Sequence, residues 1–378
     1  MGHPPAIERV YLQAAPGLEA VLAAEAMPLG RVRRVAGGVE LDGAPGVHAE
    51  AALVLRVAER VLLRLAEASA RRWNDVEAVL TAVRLDGIVP RAAPVTLEAV
   101  VRVPGAPGTG ALPLLLSRAW GRPVERATGD TREGEAPRLV LRAVDGAVSL
   151  SADVGGALLH RRGWRQEVSR APMRETLAAG VLALAGHAPD RPVWDPMCGS
   201  GTLVIEAALI ARGVAPGLGR AFAAEGWPLA STADWGGHRE RLRARVRPQA
   251  PAPVLGSDLN AGALGTARRN ARRAGVASDV RLERLDVANL RPGELPPGLL
   301  VSNLPYGKRV SAPAAPEVFD TTLARVLTGP FAAWRQALLV DNPERLRRVG
   351  GREPDRVHAL RNGGIPVVLG VWEPIRGV

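Results

Sequence analysis

Pro192-Val193-Trp194-Asp195-Pro196-Met197-Cys198-Gly199-Ser200-Gly201-Thr202 is the stretch on which the fold turns. An apolar strand ends in an acid, a glycine-rich turn follows, and Thr202 to Ala211 carries a helical pattern. That order is the opening unit of a doubly wound α/β sheet, whose ligands bind at the carboxyl ends of its strands. Glycine lets backbone approach a ligand closely, and a helix N-terminus offers free N–H groups to an anion.

The chain downstream repeats the theme. Val254 to Ser257 reads as a second strand ending before Asp258, with a helix from Ala261 to Ala274. Val280 to Leu285 is a third strand, followed by Asp286-Val287. Leu299 to Ser302 is a short apolar run of the kind found in buried parallel strands, and Ala337 to Val340 is a fifth. Val357 to Leu360 and Pro366 to Trp372 read as a terminal hairpin turning at Asn362-Gly363. Gly213 to Pro253 is a long insertion between the first two strands, so Asp258 lies far beyond the usual dinucleotide-binding spacing of about 20 residues.

Three acids thus stand at successive strand ends: Asp195, Asp258 and Asp286. The fourth strand runs into Ser302-Asn303-Leu304-Pro305-Tyr306-Gly307-Lys308-Arg309. Asn303 offers a carbonyl acceptor. Leu304, preceding proline, is pushed toward an extended conformation that brings its carbonyl beside it. Two adjacent acceptors can hold one exocyclic NH₂ group, and Tyr306, one of only two tyrosines, supplies a face for a flat ring. Cys198 is not a candidate nucleophile: it sits inside the glycine turn and no base signature accompanies it.

Upstream, the first 65 residues mix strand and helix patterns, with a long helical pattern from Ala49 to Leu65. Val76 to Val83 and Leu112 to Trp120 read as helices and Val95 to Val103 as a strand. Two further strands flank the turn at Asp145-Gly146. Between Leu158 and Arg174 the chain carries His160, Arg161, Arg162, Arg165, Arg170 and Arg174 against Glu167 alone. Such a run is either a solvated linker or a phosphate-binding joint between two domains, and the second is the expectation.

Composition sets the outer bounds. The 378 residues, 47% hydrophobic and 23% charged, suit two or three globular domains and exclude a fully disordered chain. The net charge of +11 makes a polyanionic partner plausible, although an arginine-rich coding bias supplies much of it. A single cysteine excludes an intrachain disulfide, and neither a signal peptide nor a membrane span is expected, so a cytoplasmic location is.

With these residues in place, the chain resembles the class I S-adenosylmethionine-dependent methyltransferases. Asn303-Leu304-Pro305-Tyr306 is similar to the Asn/Asp-Pro-Pro-Tyr/Phe motif of amino-group methyltransferases. Asp195 to Thr202 resembles the loop of the THUMP-domain RNA guanine-N2 methyltransferases, most of all the bacterial 23S ribosomal RNA enzymes. Gly17-Leu18-Glu19, Gly37-Gly38-Val39, Arg71-Arg72-Trp73-Asn74-Asp75, Leu158 to Arg165, Ala171 to Leu177 and Ala215 to Trp227 resemble further parts of that group. The departure is Leu304 in place of the motif's first proline; related transfer-RNA guanine enzymes carry leucine there too.

The resemblance implies four segments: a ferredoxin-like domain over 1–68, a THUMP RNA-binding domain over 69–157, a basic joint over 158–174 and one methyltransferase domain over 175–378. The last is expected to hold a seven-stranded sheet with a terminal antiparallel hairpin. It also implies methyl transfer to guanine N2 in RNA. Asn303, Leu304, Pro305 and Tyr306 would serve catalysis. Asp195, Cys198, Gly199, Ser200, Gly201, Thr202, Asp258, Leu259, Asp286, Val287 and Asn303 would hold the cofactor. Arg161, Arg162, Arg165, Arg174, Lys308 and Arg309 would bind RNA. No metal and no protein partner are implied. Competing readings are a transfer-RNA guanosine enzyme, a protein glutamine methyltransferase and a non-catalytic RNA-binding factor.

Overall fold

The computed structural model describes residues 7–91, 93–108, 110–129, 136–166, 173–305 and 316–375. They form two compact units between which the chain passes repeatedly. One comprises Met1–Ala14, Leu22–Leu159 and Arg220–Arg241; the other Ala15–Val21, His160–Gly219 and Leu242–Val378.

In the first unit β1 (Glu8–Ala14) alternates cleanly, burying Val10, Leu12 and Ala14. It is followed by α1 (Glu19–Ala26), which straddles the division of units, β2 (Gly30–Val35), β3 (Gly38–Gly43), α2 (Val47–Val54) and the twelve-residue β4 (Ala58–Ser69). Then come α3 (Trp73–Ala82), β5 (Val95–Val101), α4 (Leu112–Trp120), β6 (Val124–Arg126), β7 (Arg138–Val144) and β8 (Ala147–Asp153). All eight strands join in one sheet, ordered β2-β3-β1-β4-β8-β7-β5-β6. Its seam is β4 against β8, from Leu62↔Asp153 to Ser69↔Ala147. A continuous sheet therefore runs across position 68, at the end of β4.

The long helical pattern from Ala49 to Leu65 is a helix only as far as Val54. From Ala58 the chain is strand, paired with β1 on one side and β8 on the other. Its first half is buried almost throughout, so the apolar run has no period of two to distinguish it from a buried helix. The β7–β8 turn fits its sequence: Asp145 (φ 52°) and Gly146 (φ 79°) both take the left-handed conformation a two-residue hairpin requires. Residues of the insertion complete this unit. Phe222 stacks on Trp235 at 5.4 Å, and Trp235 meets the His48 ring edge-on at 6.0 Å.

The second unit is the doubly wound sheet. It contains α5 (Glu175–Leu184), β9 (Val193–Asp195), α6 (Thr202–Ala211), β10 (Val254–Ser257), α8 (Ala261–Arg273), β11 (Val280–Glu283) and β12 (Leu299–Asn303), with α7 (Trp235–Ala244) straddling the division of units. Next are α9 (Pro316–Thr328), β13 (Arg335–Val340), α10 (Pro343–Gly350), β14 (Arg356–Asn362) and β15 (Ile365–Trp372). The order is β11-β10-β9-β12-β13-β15-β14: five parallel strands, then β15 antiparallel to both β13 and β14. The fold is α/β with the seven strands and terminal hairpin expected. The hairpin turns at Gly363-Gly364, one residue beyond the expected turn, because Asn362 pairs with Ile365 and both glycines carry positive φ.

Aromatic side chains are scarce, and four of them meet in the core of the second unit. Trp194, Phe331, Trp334 and Trp372 pack with Leu300, Leu304, Leu323 and Leu338 under the sheet. The face of β12 below Asn303 is therefore a rigid floor, and Leu304 itself is part of it, 1% exposed.

Candidate functional site

Parallel pairing sets the site. Gly256 of β10 lies opposite Asp195 of β9, and Ser257 lies opposite Glu283 of β11. The strands therefore end at one level, and Asp195, Asp258 and Asn303 emerge at their carboxyl ends. The glycine loop leaves β9 as expected. Gly199 and Gly201 have φ of 52° and 86°, and Gly201 caps α6. Space around Gly199 is open, whereas a Cβ on Gly201 would press on Ala267 of α8 at 3.0 Å. The first glycine faces where a ligand would lie; the second permits helix packing.

Hydrogen bonds tie the loop to the acids. The Gly199 amide donates to Asp258 Oδ2 at 2.9 Å, and the Asn260 amide to Asp258 Oδ1 at 2.8 Å. Asp195 Oδ1 accepts from the Ser302 hydroxyl at 2.6 Å and from the Met197 amide at 3.1 Å. Burial, assisted by the negative charge of Asp258, pushes the Asp195 carboxyl up to about 7, against the hydrogen bonds that favour its charge. Asn270 of α8 donates to the Ser200 carbonyl at 3.2 Å. Ser302 and Asn270 are contributions that sequence reasoning missed. A serine inside an apolar strand was the only signal for the first.

Cys198 is buried, with its backbone amide bonded to the Ser257 carbonyl at 2.9 Å, and its sulfur fills the space that a side chain at Gly256 would take. Burial first, then the charges of Asp195 and Asp258, push the thiol far above its ordinary range. It is a packing residue with no thiolate to offer. Thr202 is buried at the start of α6. Leu259 is exposed beside Asp258, Asp286 caps a short turn by accepting from the Ala288 amide at 2.9 Å, and Val287 is buried in the core.

Asn303 closes β12 in register with Leu339 of β13. Its Oδ1 is buried and has no hydrogen-bond partner among the described residues. Leaving such an acceptor unmatched costs about 1–3 kcal/mol. The next backbone groups are both engaged: the Leu304 amide with the Leu339 carbonyl at 3.0 Å, and the Pro305 carbonyl with Arg345 at 2.9 Å. Tyr306, Lys308 and Arg309 lie outside the described residues.

The basic joint differs from its expectation. Arg162 is buried and pairs with Glu206 of α6 at 3.6 Å, the two side chains 4% and 0% exposed. Arg165 bonds Glu175 at 2.8 Å, Thr202 Oγ1 at 2.7 Å and the Met173 carbonyl at 3.1 Å, and covers the Trp164 ring. These two guanidinium groups neutralise buried carboxylates, so they are not placed to grip phosphates. Arg161 is exposed and Arg174 half-buried at the N-cap of α5.

The residues at the sheet's edge fit a nucleoside cofactor: an acid at the second strand, an open glycine loop at the first, and an unmatched acceptor at the fourth. Residues 162–369 match the family described as "RMKL-like, methyltransferase domain". The chain belongs to that family. Its members are S-adenosylmethionine-dependent methyltransferases. Residues 9–62 match the RlmL ferredoxin-like domain. Over 379 residues the chain is 33% identical to the ribosomal RNA large subunit methyltransferase K/L of Allochromatium vinosum, covering 95% of this chain and 51% of that protein. It thus spans about half the length of that relative. It is 28% identical to YpsC of Bacillus subtilis, described as an RNA methyltransferase, covering 95% of this chain and 94% of YpsC. Among solved structures it is similar to SMU.472, described as a methyltransferase and complexed with SAH. The two share 26% identity and a TM-score of 0.85, over 99% of this chain and 100% of that one.

Proposed function

We propose that this RMKL-like protein transfers a methyl group from S-adenosylmethionine to the exocyclic N2 amine of a guanosine in RNA, with 23S ribosomal RNA the first substrate to test. The observation that carries the reading is the buried, unmatched Oδ1 of Asn303 at the end of β12. Similarity to large-subunit ribosomal RNA methyltransferases supports RNA, and the ribosomal kind, as substrate. In this reading residues 1–68 form the ferredoxin-like domain, 69–157 a THUMP domain, 158–174 a joint and 175–378 the catalytic domain, and the protein works in the cytoplasm.

When bound, the cofactor supplies an activated methyl on a sulfonium, its S–C bond breaking as N–C forms and a proton leaves nitrogen. Asp258, with the Gly199 amide fixing its orientation, would accept from the ribose hydroxyls. Asp286 and Leu259 would flank the adenine, and Gly199, Ser200, Gly201 and Thr202 the methionine end. The guanine amine is a poor nucleophile because its lone pair is delocalised. Asn303 Oδ1 and the Leu304 carbonyl would hold its two N–H groups and turn the lone pair outward, so that catalysis is positioning and electrostatics. Tyr306 would stack on the base, and Arg161, Arg174, Lys308 and Arg309 would contribute phosphate contacts. The target guanine must lie in a loop or flip out of its helix.

The test is transfer of labelled methyl to total RNA from cells lacking the protein, followed by size fractionation and nucleoside analysis. N2-methylguanosine in large ribosomal RNA is the expected product. Label in transfer RNA would move the substrate and keep the chemistry. A labelled protein, or no label with cofactor still bound, would overturn the reading.

A further inference from the structure

We infer that Arg345, held by Asp320, is a positioning residue that fixes the backbone carrying the substrate acceptors. The inference rests on the reading of Asn303 and Leu304 as those acceptors. Arg345 Nη1 donates to the Pro305 carbonyl at 2.9 Å. The rest of its guanidinium is spent on one carboxylate: Nε lies 3.0 and 3.1 Å from the two oxygens of Asp320, and Nη2 lies 2.7 Å from Oδ1. Asp320 is fully buried in α9 and takes a further bond from Arg348 Nε at 2.8 Å. Arg345 stands in the first turns of α10, which the Asn342 side chain caps by accepting from the Glu344 amide at 2.9 Å.

The geometry makes a clamp. The Leu304 carbonyl sits between two fixed points, just beyond Asn303. On one side the Leu304 amide is bonded to β13; on the other the Pro305 carbonyl is bonded to Arg345. A peptide carbonyl held by a planar, doubly anchored guanidinium cannot rotate without breaking a charge-assisted bond. The Leu304 carbonyl lies one peptide away, so its direction is set by the same anchor. Arg348 alone would neutralise Asp320. Arg345 therefore has a task that Arg348 does not share: it reaches Pro305.

The difference between the two arginines is the test. Arg345→Met and Arg348→Met each remove one cation from Asp320, but only the first releases Pro305. Two measurements are made on the full chain. Hydrogen–deuterium exchange over residues 299–305 needs no substrate; in Arg345→Met the Leu304 amide should exchange about tenfold faster or more, and in Arg348→Met it should keep the wild-type rate. In the methylation assay Arg345→Met should lose about tenfold or more in kcat, with cofactor Kd and KM for RNA within about twofold, and Arg348→Met should stay near wild type. Equal effects of the two variants on exchange and kcat, or unchanged exchange in Arg345→Met, would overturn the clamp. Should Arg345→Met not fold, Arg345→Lys keeps a cation for Asp320, gives up the two-sided fork, and should show the same exchange change. If the wild-type protein yields no N2-methylguanosine while exchange still responds to Arg345 alone, the substrate reading fails and the clamp stands.

Discussion

The carboxyl group of Asp195 is sealed beneath the glycine loop, where burial and the neighbouring Asp258 charge both oppose its ionisation. The folded protein therefore binds this proton more tightly than the unfolded chain, in which the group titrates near its ordinary value of 3.8. The stability it contributes is complete below that value and is lost as pH rises through about 7, a change on the order of 4 kcal/mol in all. Asp195→Asn keeps the acceptor for Ser302 and removes the titration. Urea unfolding at pH 4.5 and 7.5 should show a smaller loss of stability in the variant than in the wild type; parallel losses would mean that Asp195 ionises normally. Asn303 gives a different signature. Asn303→Ala should lower methyl transfer by at least about 100-fold, the effect of removing one preorganised polar group. Because the lost oxygen has no partner among the described residues, unfolding should show no matching loss of stability. A variant with near-wild-type turnover would remove Asn303 from the mechanism.

The strand that carries Asn303 and the helix that follows the glycine loop show what an element adds to its residues. In α6 every residue but Ile210 is buried, Glu206 included, and Arg162 is buried with it as an ion-pair partner. Glu206→Gln should cost about 3 kcal/mol in denaturant unfolding, since it leaves Arg162 without its carboxylate, whereas replacing both by leucine should recover much of that loss. Arg165→Ala should likewise destabilise the fold while leaving the salt dependence of RNA binding unchanged; a flatter salt slope in a folded variant would return Arg165 to the phosphate contacts. The parallel strands and their terminal acids were legible because each joins a short apolar run to a polar end. The Asp145-Gly146 hairpin was legible because its turn needs particular backbone angles. Arg162 and Arg165 of the joint depart from expectation for a physical reason: a run of arginines in sequence looks alike whether its partners are phosphates or carboxylates that the fold brings from elsewhere. The same limit hid Arg345, whose partners Pro305 and Asp320 lie 40 and 25 residues away. In β4 burial on both faces erased the alternation that marks a strand.

Across the whole chain, the insertion between β9 and β10 is the feature that sequence reading located without finding its purpose. Its central part, Arg220–Arg241, belongs to the first unit, where Phe222, Leu229 and Trp235 are buried. The Ala224 amide bonds the Val154 carbonyl at 3.2 Å, and Arg220 donates to the carbonyls of Gly155, Ala157 and Leu158. Trp235→Ala should lower the stability of that unit by about 3–5 kcal/mol, read as an earlier unfolding transition in calorimetry. An unshifted transition would show the insertion to be ornamental. The reverse exchange also occurs: Ala15–Val21 belongs to the second unit, where Leu18 fills the space that a side chain on Gly180 would need.

That traffic fixes a timetable for the chain as it is made. Once Leu159 has left the ribosome, the first unit still lacks five of its buried side chains, and they arrive only with residues 222 to 235. Until then it must wait with apolar surface uncovered while the strand and helix of the second unit emerge. The two units thus cannot mature in the order in which they are encoded, and neither can be exchanged between genes by a single cut. A chimaera that keeps both intact needs every crossing of the chain preserved.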